Sequence, residues 1–312
     1  MKITIVGYGI QGRAQALNLR DSGHEIIIAN RKDSYHDQAI KDGFHVISIE
    51  ESIKDSEVIF LLIPDAFQEE ILQTIIFPNI QENACLIFAH GYWLAYEKSN
   101  LPDNIDVMML APRFPGEQIR KTYLDNGGVP AYVDIHQDAS TKASEKLSIL
   151  ADGLGFSKGG VIYLEAKKEA ELDLFIEQFM APTFFASVET AFELLLENNY
   201  PEEAISLELY YSGELGAVRT MMGRNGLYKG FQDNASPTCQ YGVASSRKLL
   251  WGDSMKENAK KQLDRIRSGR FADELSNHVE AEKTVNEFVT SSTASKIKSA
   301  EEKVNKIVKK YL

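Results

Sequence analysis

Residues 1–12 read MKITIVGYGIQG, an apolar run that leads directly into three glycines with GxGxxG spacing. The run from Ile3 to Val6 has the β-branched composition of a buried strand. In a strand–turn–helix unit, Gly7 permits the tight turn, Gly9 lets a pyrophosphate approach the backbone, and Gly12 lets the helix pack closely on the strand. Free amides at the start of such a helix attract an anion. These residues therefore predict a dinucleotide-binding domain.

Short apolar runs and longer amphipathic stretches continue to alternate as far as Leu164. The runs are Ile3 to Val6, Glu25 to Ala29, Val58 to Ile63, Cys85 to Ala89, Val107 to Leu110 and Ala131 to Ile135. Such alternation is typical of βα units around a parallel sheet. We predict a Rossmann-type, doubly wound α/β domain over residues 1–165.

The second half of the chain has a different pattern, with apolar residues at helical intervals from Lys168 to Asn198 and beyond. Pro182 lies inside this stretch and is expected to kink or divide the helix. The Lys-, Glu- and Ala-rich region beyond Ser254 predicts a peripheral helix pair, with a tail that frays after Thr290. We predict an all-α domain over residues 166–312.

Composition limits the class of protein. The 312 residues are 44% hydrophobic and 25% charged, with a formal net charge of −11, as in a soluble globular protein. An acidic chain is a poor match for nucleic acid, because contacts to phosphates need a basic face. The sequence lacks a signal-peptide pattern and a run of 18 apolar residues, so we expect no membrane contact and a cytoplasmic location. Cys85 and Cys239 have no metal-binding or redox spacing.

The end of the second predicted strand bears on the choice of cofactor. It reads Asn30-Arg31-Lys32-Asp33-Ser34. Cations and a hydroxyl at this position accommodate the 2′-phosphate of NADPH, whereas a carboxylate accepts the ribose hydroxyls of NADH. Asp33 could repel the phosphate or pair with Lys32. We therefore expect NADPH, with NADH as the alternative.

Several segments together resemble the ketol-acid reductoisomerase family in order and spacing. They are GYGIQGRAQALNLRDSG (7–23), PDAFQ (64–68), AHG (89–91), APRFPG (111–116), GGVPA (127–131), HQDAS (136–140) and ELDLFIEQ (171–178). The resemblance extends over residues 1–275 and its motifs are specific as a set.

The resemblance implies an NADPH- and magnesium-dependent enzyme of branched-chain amino-acid biosynthesis. Members of the family shift an alkyl group in a 2-acetohydroxy acid and then reduce the resulting 2-keto acid. It also implies that the second domain is a knotted helical bundle through which two copies dimerise. The positions that match the family's cofactor-binding residues, beside the glycines, Arg31 and Lys32, are Tyr8, Ile10, Gln11, Ser34, Asp65, Ala66, Phe67, Gln68 and Gly116. His90 matches an active-site histidine.

Two acidic residues suggest a metal site. Asp173 and Glu177 are four residues apart in a predicted helix, so their carboxylates lie on one face and could share a divalent ion. Mg²⁺ prefers such oxygen ligands. The alternative interpretation is a solvated acidic face that also includes Glu169 and Glu171.

The resemblance implies a second carboxylate pair on a later helix, and here the chain departs from the family. Glu208 matches the first member, whereas the second falls on Ser212, a neutral hydroxyl. Glu214 is near in sequence, but it could compensate only if the helix were locally distorted. We expect one Mg²⁺ ion, held by Asp173, Glu177 and Glu208, and substantially weakened binding of a second.

Arg113 is a further departure, because the family has lysine at this position. Arginine does not lose its proton at any useful pH, so it can act only as a fixed cation that holds a carboxylate or polarises a keto oxygen. A phosphate contact or a surface ion pair is the alternative. Ser236 matches the family's substrate-contacting serine, although Pro237 and Gln240 alter the segment that follows it.

These observations predict an NAD(P)H-dependent oxidoreductase that acts on a small 2-keto or 2-acetohydroxy acid. The changes at Arg113 and Ser212 affect mainly alkyl migration, so reduction is the more secure activity. Two alternatives stay open at this stage. One is a cofactor-binding protein without catalysis, and the other is a reductase of an unusual keto acid or imine in a specialised pathway.

Overall fold

The computed structural model describes residues 1–96, 100–250 and 252–308, with residues 248 and 249 described for their backbone only. It divides into two compact units, Met1–Asp173 and Leu174–Leu312. The division lies inside a single helix that begins at Ala166. The boundary after residue 165 stays a prediction.

The first unit is built on one sheet of eight strands. The strands are β1 Lys2–Val6, β2 Glu25–Ala29, β3 His45–Ile47, β4 Val58–Leu61, β5 Cys85–Phe88, β6 Asp106–Pro112, β7 Ala131–Gln137 and β8 Val161–Tyr163. Their order is β3-β2-β1-β4-β5-β6-β7-β8. All neighbouring strands are parallel except β6 and β7, which are antiparallel.

Helices cover both faces of this sheet, which explains why its central strands consist almost entirely of buried apolar residues. The helices are α1 Ile10–Asp21, α2 Ser34–Lys41, α3 Ile49–Ile53, α4 Asp65–Ile71, α5 Phe77–Asn79, α6 Tyr92–Tyr96, α7 Gly116–Leu124, α8 Ala143–Leu154 and α9 Phe156–Gly159, with a π-helical turn at Leu72–Ile76. The predicted α/β class is confirmed. The short strands β3 and β8 and the antiparallel pair were not expected from the sequence.

The second unit is helical throughout its described residues, as the sequence predicted. Its helices are α10 Ala166–Glu197, which begins in the first unit, α11 Glu202–Ser206, α12 Glu214–Asn225, α13 Leu227–Asn234, α14 Pro237–Leu250, α15 Asp253–Arg267, α16 Arg270–Ser276, α17 His278–Val289 and α18 Ser292–Ile307, with a π-helical turn at Leu207–Tyr211. The knot stays a prediction.

Pro182 does not divide α10, which runs through it without a break, and the alternative of a kink stays a prediction. The hydroxyl of Thr183 donates to the carbonyl oxygen of Phe179 at 2.7 Å, four residues earlier in the same helix. The region beyond residue 253 forms four helices rather than a pair, and the last one does not fray, because Ala300 and Val304 are buried. Residues 309–312 lie outside the described residues.

Among the described residues, α10 is the one helix long and apolar enough to cross a membrane by length and composition. Only 11% of its most apolar stretch is buried inside the chain. The sequence predicted a helix from Lys168 to Asn198, but not one apolar enough to pass this test, because single polar residues interrupt its apolar residues. By itself the helix is weak evidence for a membrane span.

Candidate active site

The glycine turn after β1 has the geometry that an anion needs. Gly7 has φ +97°, a conformation that L side chains rarely adopt, and a side chain there would overlap the carbonyl group of Leu62. Apart from its chain neighbours, no residue that the structure describes comes within 4 Å of the position that a Cβ of Gly9 would take, so the backbone there is open to a ligand. No side chain caps the start of α1, which leaves its first amides available to an anion.

Two side chains brace this turn from behind. The amide of Tyr8 donates to Oδ1 of Asn30 at 2.9 Å, which ties the glycine turn to the end of β2. The Tyr8 ring is fully buried, and its hydroxyl donates to Asp42 at 2.8 Å. Arg13 donates to both oxygens of the same carboxylate, at 2.7 and 3.1 Å. The Tyr8 side chain therefore supports the turn from the core, and its match to a cofactor-binding position stays a prediction.

The neighbouring residues of this turn, Ile10, Gln11 and Gly116, lie together at the same edge of the sheet. A side chain on Gly116 would overlap the carbonyl oxygen of Ile10, and Gln11 donates to the carbonyl oxygen of Phe114 at 3.1 Å. Ile10 is 67% exposed. The start of α1 and the start of α7 thus form one surface beside the glycine turn.

The loop after β2 presents its cations to solvent. Asp33 does not pair with Lys32; it caps α2 by accepting from the amides of Tyr35 and His36. It also accepts from Nε of Arg31 at 3.0 Å. The Arg31 guanidinium beside Asp33 lowers the pKa of that carboxyl. Lys32 and Ser34 are exposed. Asp33 is thus engaged in a cap, and Arg31, 85% exposed, remains accessible to a phosphate.

His90 joins the loops that follow β4 and β5. Its Nδ1 accepts from the amide of Tyr92 at 3.1 Å, which leaves the ring proton on Nε2 to donate to Oδ1 of Asp65 at 3.0 Å. Gln68 is buried, and its amide group donates to Asp65 at 3.0 Å. Ala66 and Phe67 are exposed on the same turn. Both ring nitrogens of His90 therefore have partners within the first unit.

Several charges act on the His90 ring. Burial lowers the pKa of His90, but its hydrogen bond to Asp65 and the charges of Asp65, Glu169 and Asp173 outweigh burial, so the net shift is upward. A ring that carries a proton more readily than usual is an electrostatic complement to nearby carboxylates.

Arg113 follows β6 and holds two carboxylates at once. Its Nη1 donates to Oδ1 of Asp173 at 2.8 Å, and its Nη2 donates to Oε1 of Glu169 at 2.7 Å. The side chain of Arg113 is 24% exposed and that of Asp173 is 39% exposed, whereas that of Glu169 is fully buried. The guanidinium also lies 5.0 Å from the ring centre of Tyr132. Arg113 is therefore not in a surface ion pair.

Glu169 is the functional residue that sequence reasoning missed, since it was considered only as part of a solvated face. Its Oε2 accepts from the amide of Gly91 at 2.7 Å, while Oε1 accepts from Arg113. Burial raises the pKa of Glu169, and the Gly91 amide and the Arg113 guanidinium offset this only in part. The available signal was its position four residues before Asp173, which puts the two carboxylates on the same face of α10.

The first turn of α10 packs directly on the loop after β5. A Cβ on Gly91 would overlap the carbonyl oxygen of Ala166, so no other residue lets the helix approach so closely. Ala166, Glu169 and Ala170 are buried, and the amide of Ala166 donates to Asp134 at 2.9 Å. Close packing thus carries Glu169 and Asp173 to the carboxyl ends of β5 and β6.

The other predicted residues belong to the second unit. Glu177 is exposed on α10, and Glu208 is exposed on the π-helical turn at Leu207–Tyr211. That turn ends at Ser212, and Gly213 with φ +81° begins a new helix at Glu214. The local helix distortion that any role for Glu214 would require is therefore present.

Ser236 is exposed immediately before α14, and its hydroxyl accepts from the amide of Cys239 at 3.2 Å. Its role stays a prediction. Across the residues that the structure describes, no group of three or more His, Cys, Asp and Glu side chains is gathered in a way that could hold a metal ion. The expected grouping of Asp173, Glu177 and Glu208 stays a prediction.

Comparison with known proteins agrees with this arrangement. Residues 1–160 match the model of the acetohydroxy acid isomeroreductase, NADPH-binding domain. Residues 166–310 match the model of the ketol-acid reductoisomerase, C-terminal domain. Together the two matches cover almost the whole chain.

Individual relatives and a solved structure are named as ketol-acid reductoisomerases. The chain is 37% identical over 274 residues to the ketol-acid reductoisomerase (NADP(+)) of Pyrobaculum aerophilum, covering 87% of this chain and 83% of the relative. It is 36% identical to that of Sulfolobus acidocaldarius, covering 87% and 82%. A solved NADH-preferring ketol-acid reductoisomerase from an uncultured archean superposes with a TM-score of 0.90 at 27% identity, covering 99% of this chain and 95% of that one.

Proposed function

The chain belongs to the ketol-acid reductoisomerase family, and from this premise we propose an enzyme in which reduction of a 2-keto acid is retained and alkyl migration is weak. As a member of this family it is an NADPH-dependent oxidoreductase. The substrate is a small 2-keto or 2-acetohydroxy acid. The observation that carries the proposal is the engagement of Arg113 with both Glu169 and Asp173.

The two half-reactions make different demands on the protein. Alkyl migration needs the substrate hydroxyl deprotonated and the neighbouring carbonyl polarised, and bound Mg²⁺ would supply this Lewis-acid chemistry. Reduction needs only that hydride reach the keto carbon and that the oxygen, as it becomes an alkoxide, meet a positive group and then a proton. For the reduction, Arg113 supplies the positive group as a permanent cation. For the alkyl migration, it cannot accept the proton that leaves the substrate hydroxyl.

The family implies Mg²⁺ as well as NADPH, but the residues of this chain fit a two-ion centre poorly. Asp173 already accepts from Arg113, and both oxygens of Glu169 are occupied. Ser212 stands where the resemblance implies a carboxylate. The single ion that the sequence predicted at Asp173, Glu177 and Glu208 fits poorly for the same reason, because Arg113 already engages Asp173. No step of the proposed reduction depends on that ion.

For NADPH, the glycine turn binds the pyrophosphate at the start of α1, and Arg31 with Lys32 meets the 2′-phosphate. Exposure of Arg31 and the engagement of Asp33 in the cap of α2 support NADPH over NADH. The loop that contains Asp65 and Gln68 lines the nicotinamide end. His90 contacts this loop through Asp65 and positions it.

We also propose that two copies pair through the helical half of the chain, which begins with α10, and that the enzyme is soluble and cytoplasmic. Leu172, Ile176 and Met180 recur every fourth residue on α10 and are 40%, 49% and 54% exposed, so they form an apolar face. A second copy suits this face better than a bilayer, because Glu177 and Glu189 interrupt the apolar stretch and would be costly in lipid.

Two substrates test the proposed division of activity. NADPH oxidation is followed with a simple 2-keto acid and with 2-acetolactate, each with Mg²⁺ and with EDTA. We expect the keto acid to be reduced and acetolactate to be converted much more slowly. Comparable rates on the two substrates would contradict weakened migration, and nucleotide binding without turnover on either would favour a non-catalytic cofactor-binding protein.

A second experiment tests whether the substrate pocket still accepts acetolactate, by restoring the residues that the family has at positions 113 and 212. The double variant Ser212→Glu, Arg113→Lys should gain acetolactate turnover if only the ion site has changed. If acetolactate turnover stays absent while keto-acid reduction persists, the pocket itself has been adapted to another keto acid or an imine.

A further inference from the structure

We infer that Arg113 is a resident cation that takes the place of a metal ion beside Asp173, so that hydride transfer to a keto acid does not depend on a divalent ion. The inference rests on the proposed reductase function. It concerns the way that this chain neutralises its own carboxylates.

The first step of the argument is the geometry of the guanidinium. Its Nη1 and Nη2 each donate to a different carboxylate, at 2.8 Å to Asp173 and at 2.7 Å to Glu169. A third contact, from Nε to the carbonyl oxygen of Ala111 at 3.3 Å, comes from the strand that carries the arginine. The guanidinium also packs over the ring of Tyr132. The cation is thus fixed from several sides.

The second step is that a fixed guanidinium and a metal ion compete for the same oxygen atoms. Mg²⁺ needs carboxylate oxygens with free lone pairs in a near-octahedral arrangement. An ion bound to Asp173 would have to share a carboxylate with a positive charge that cannot be removed by deprotonation. Lysine, with a flexible stem and a single ammonium group, can move aside or lose its proton, and arginine can do neither.

The third step is that Glu169 cannot relieve the competition. It is fully buried, and its other oxygen accepts from the Gly91 amide at 2.7 Å. If Arg113 moved away, Glu169 would be left as a buried charge with one neutral donor, which is costly. The buried carboxylate therefore keeps Arg113 in position, and Arg113 in turn keeps Asp173 engaged.

The fourth step is what the cation contributes to the reaction. The hydride of NADPH forms the new C–H bond at the keto carbon, and the carbonyl π electrons move to oxygen. Each Nη atom has a further N–H group beyond its carboxylate contact, and these can donate to that oxygen. A proton from water completes the alcohol and NADP⁺ remains. The balance needs no metal ion.

The test uses Mn²⁺ as a paramagnetic probe of ion binding, measured from the free-ion signal in electron paramagnetic resonance. We expect Arg113→Lys to bind Mn²⁺ at least about tenfold more tightly than the unaltered protein, because the guanidinium that competes with the ion for Asp173 is lost. Asp173→Asn in the same variant should remove that gain. The parallel activity assay compares keto-acid reduction in EDTA and in Mg²⁺, and we expect rates within about twofold.

Arg120→Lys is the matched control. Arg120 also pairs with a carboxylate, 2.5 Å from Asp21, and also packs over a tyrosine ring, at 5.6 Å from Tyr123. Its replacement should leave Mn²⁺ binding unchanged. If Arg113→Lys does not fold, Asp173→Asn in the otherwise unaltered chain replaces it, and the inference predicts no change in Mn²⁺ binding there.

Two results would overturn the inference. One is loss of keto-acid reduction when EDTA removes divalent ions, and the other is Mn²⁺ binding by the unaltered protein that is as tight as in Arg113→Lys or is weakened by Asp173→Asn. If no keto acid is reduced under any condition, the proposed reductase function fails, and the Mn²⁺ titration still decides whether Arg113 occupies the position of an ion.

Discussion

Replacing Glu169 by glutamine tests the most interior contact of the candidate site. The carboxylate uses one oxygen for Arg113 and the other for the Gly91 amide. A glutamine of the same size keeps one acceptor oxygen and turns the other atom into a donor. Whichever way the amide is oriented, an NH₂ group faces another N–H group, and Arg113 loses half of its charge compensation.

The expected cost follows from these contacts. Breaking a buried ion pair from one side costs about 3 kcal/mol or more, and a buried donor without an acceptor adds to it. We therefore expect Glu169→Gln to lower the free energy of unfolding by about 3 kcal/mol. Glu171→Gln, two residues along α10 at a half-exposed position, is the control, with an expected loss below about 1 kcal/mol.

Urea unfolding followed by circular dichroism measures the difference, and hydrogen exchange localises it. Peptides that contain Gly91 should exchange faster in Glu169→Gln, because the amide of Gly91 loses its charged acceptor. Exchange in α17 of the second unit should not change. If Glu169→Gln were as stable as Glu171→Gln, with unchanged exchange at Gly91, the claim that the Glu169 carboxylate joins Arg113 to the Gly91 amide would be refuted.

Three further outcomes are expected. Gly91→Ala should destabilise the protein by more than about 2 kcal/mol in the same unfolding assay, since its Cβ meets the Ala166 carbonyl oxygen, and a loss under about 1 kcal/mol would contradict this close approach. Arg31→Gln should reduce kcat/KM for NADPH by about tenfold or more and leave that for NADH little changed, and an unaltered preference would remove Arg31 from the phosphate site. Asp42 has its pKa lowered chiefly by the hydrogen bond from Arg13, so its contribution to stability is present above the unfolded pKa and disappears as pH falls through the folded one. The stability difference between the unaltered protein and Asp42→Asn should accordingly be full at about pH 7 and shrink below about pH 4, and a difference independent of pH would contradict this.

The sequence predicted the parts of the fold that depend on local pattern. The six apolar runs correspond to six of the strands, because short apolar runs punctuated by Gly, Pro, Asn or Asp are typical of buried strands. The strands β3 and β8 were missed because each has only three residues, too few to form a pattern of their own. Neighbouring strands rather than composition stabilise them.

The site was harder to predict from sequence, because its contacts also depend on residues that are distant along the chain. Asp173 and Arg113 were identified individually, but their pairing joins residues 60 positions apart and depends on how α10 packs against the sheet. Glu169 looks like any acidic residue near a helix start, and only burial against Gly91 distinguishes it. The tail after Thr290 was expected to fray as a chain terminus, whereas two buried residues, Ala300 and Val304, anchor its helix.

The double engagement of Glu169 has a consequence for protein engineering. Positions 113 and 169 have to be changed together, since a side chain introduced at one position must satisfy the hydrogen-bonding group that stays at the other. Screens that randomise position 113 alone should therefore recover mainly arginine or lysine. Libraries that vary both positions together would also recover pairs of uncharged side chains. Single substitutions reach such pairs only through an unstable intermediate.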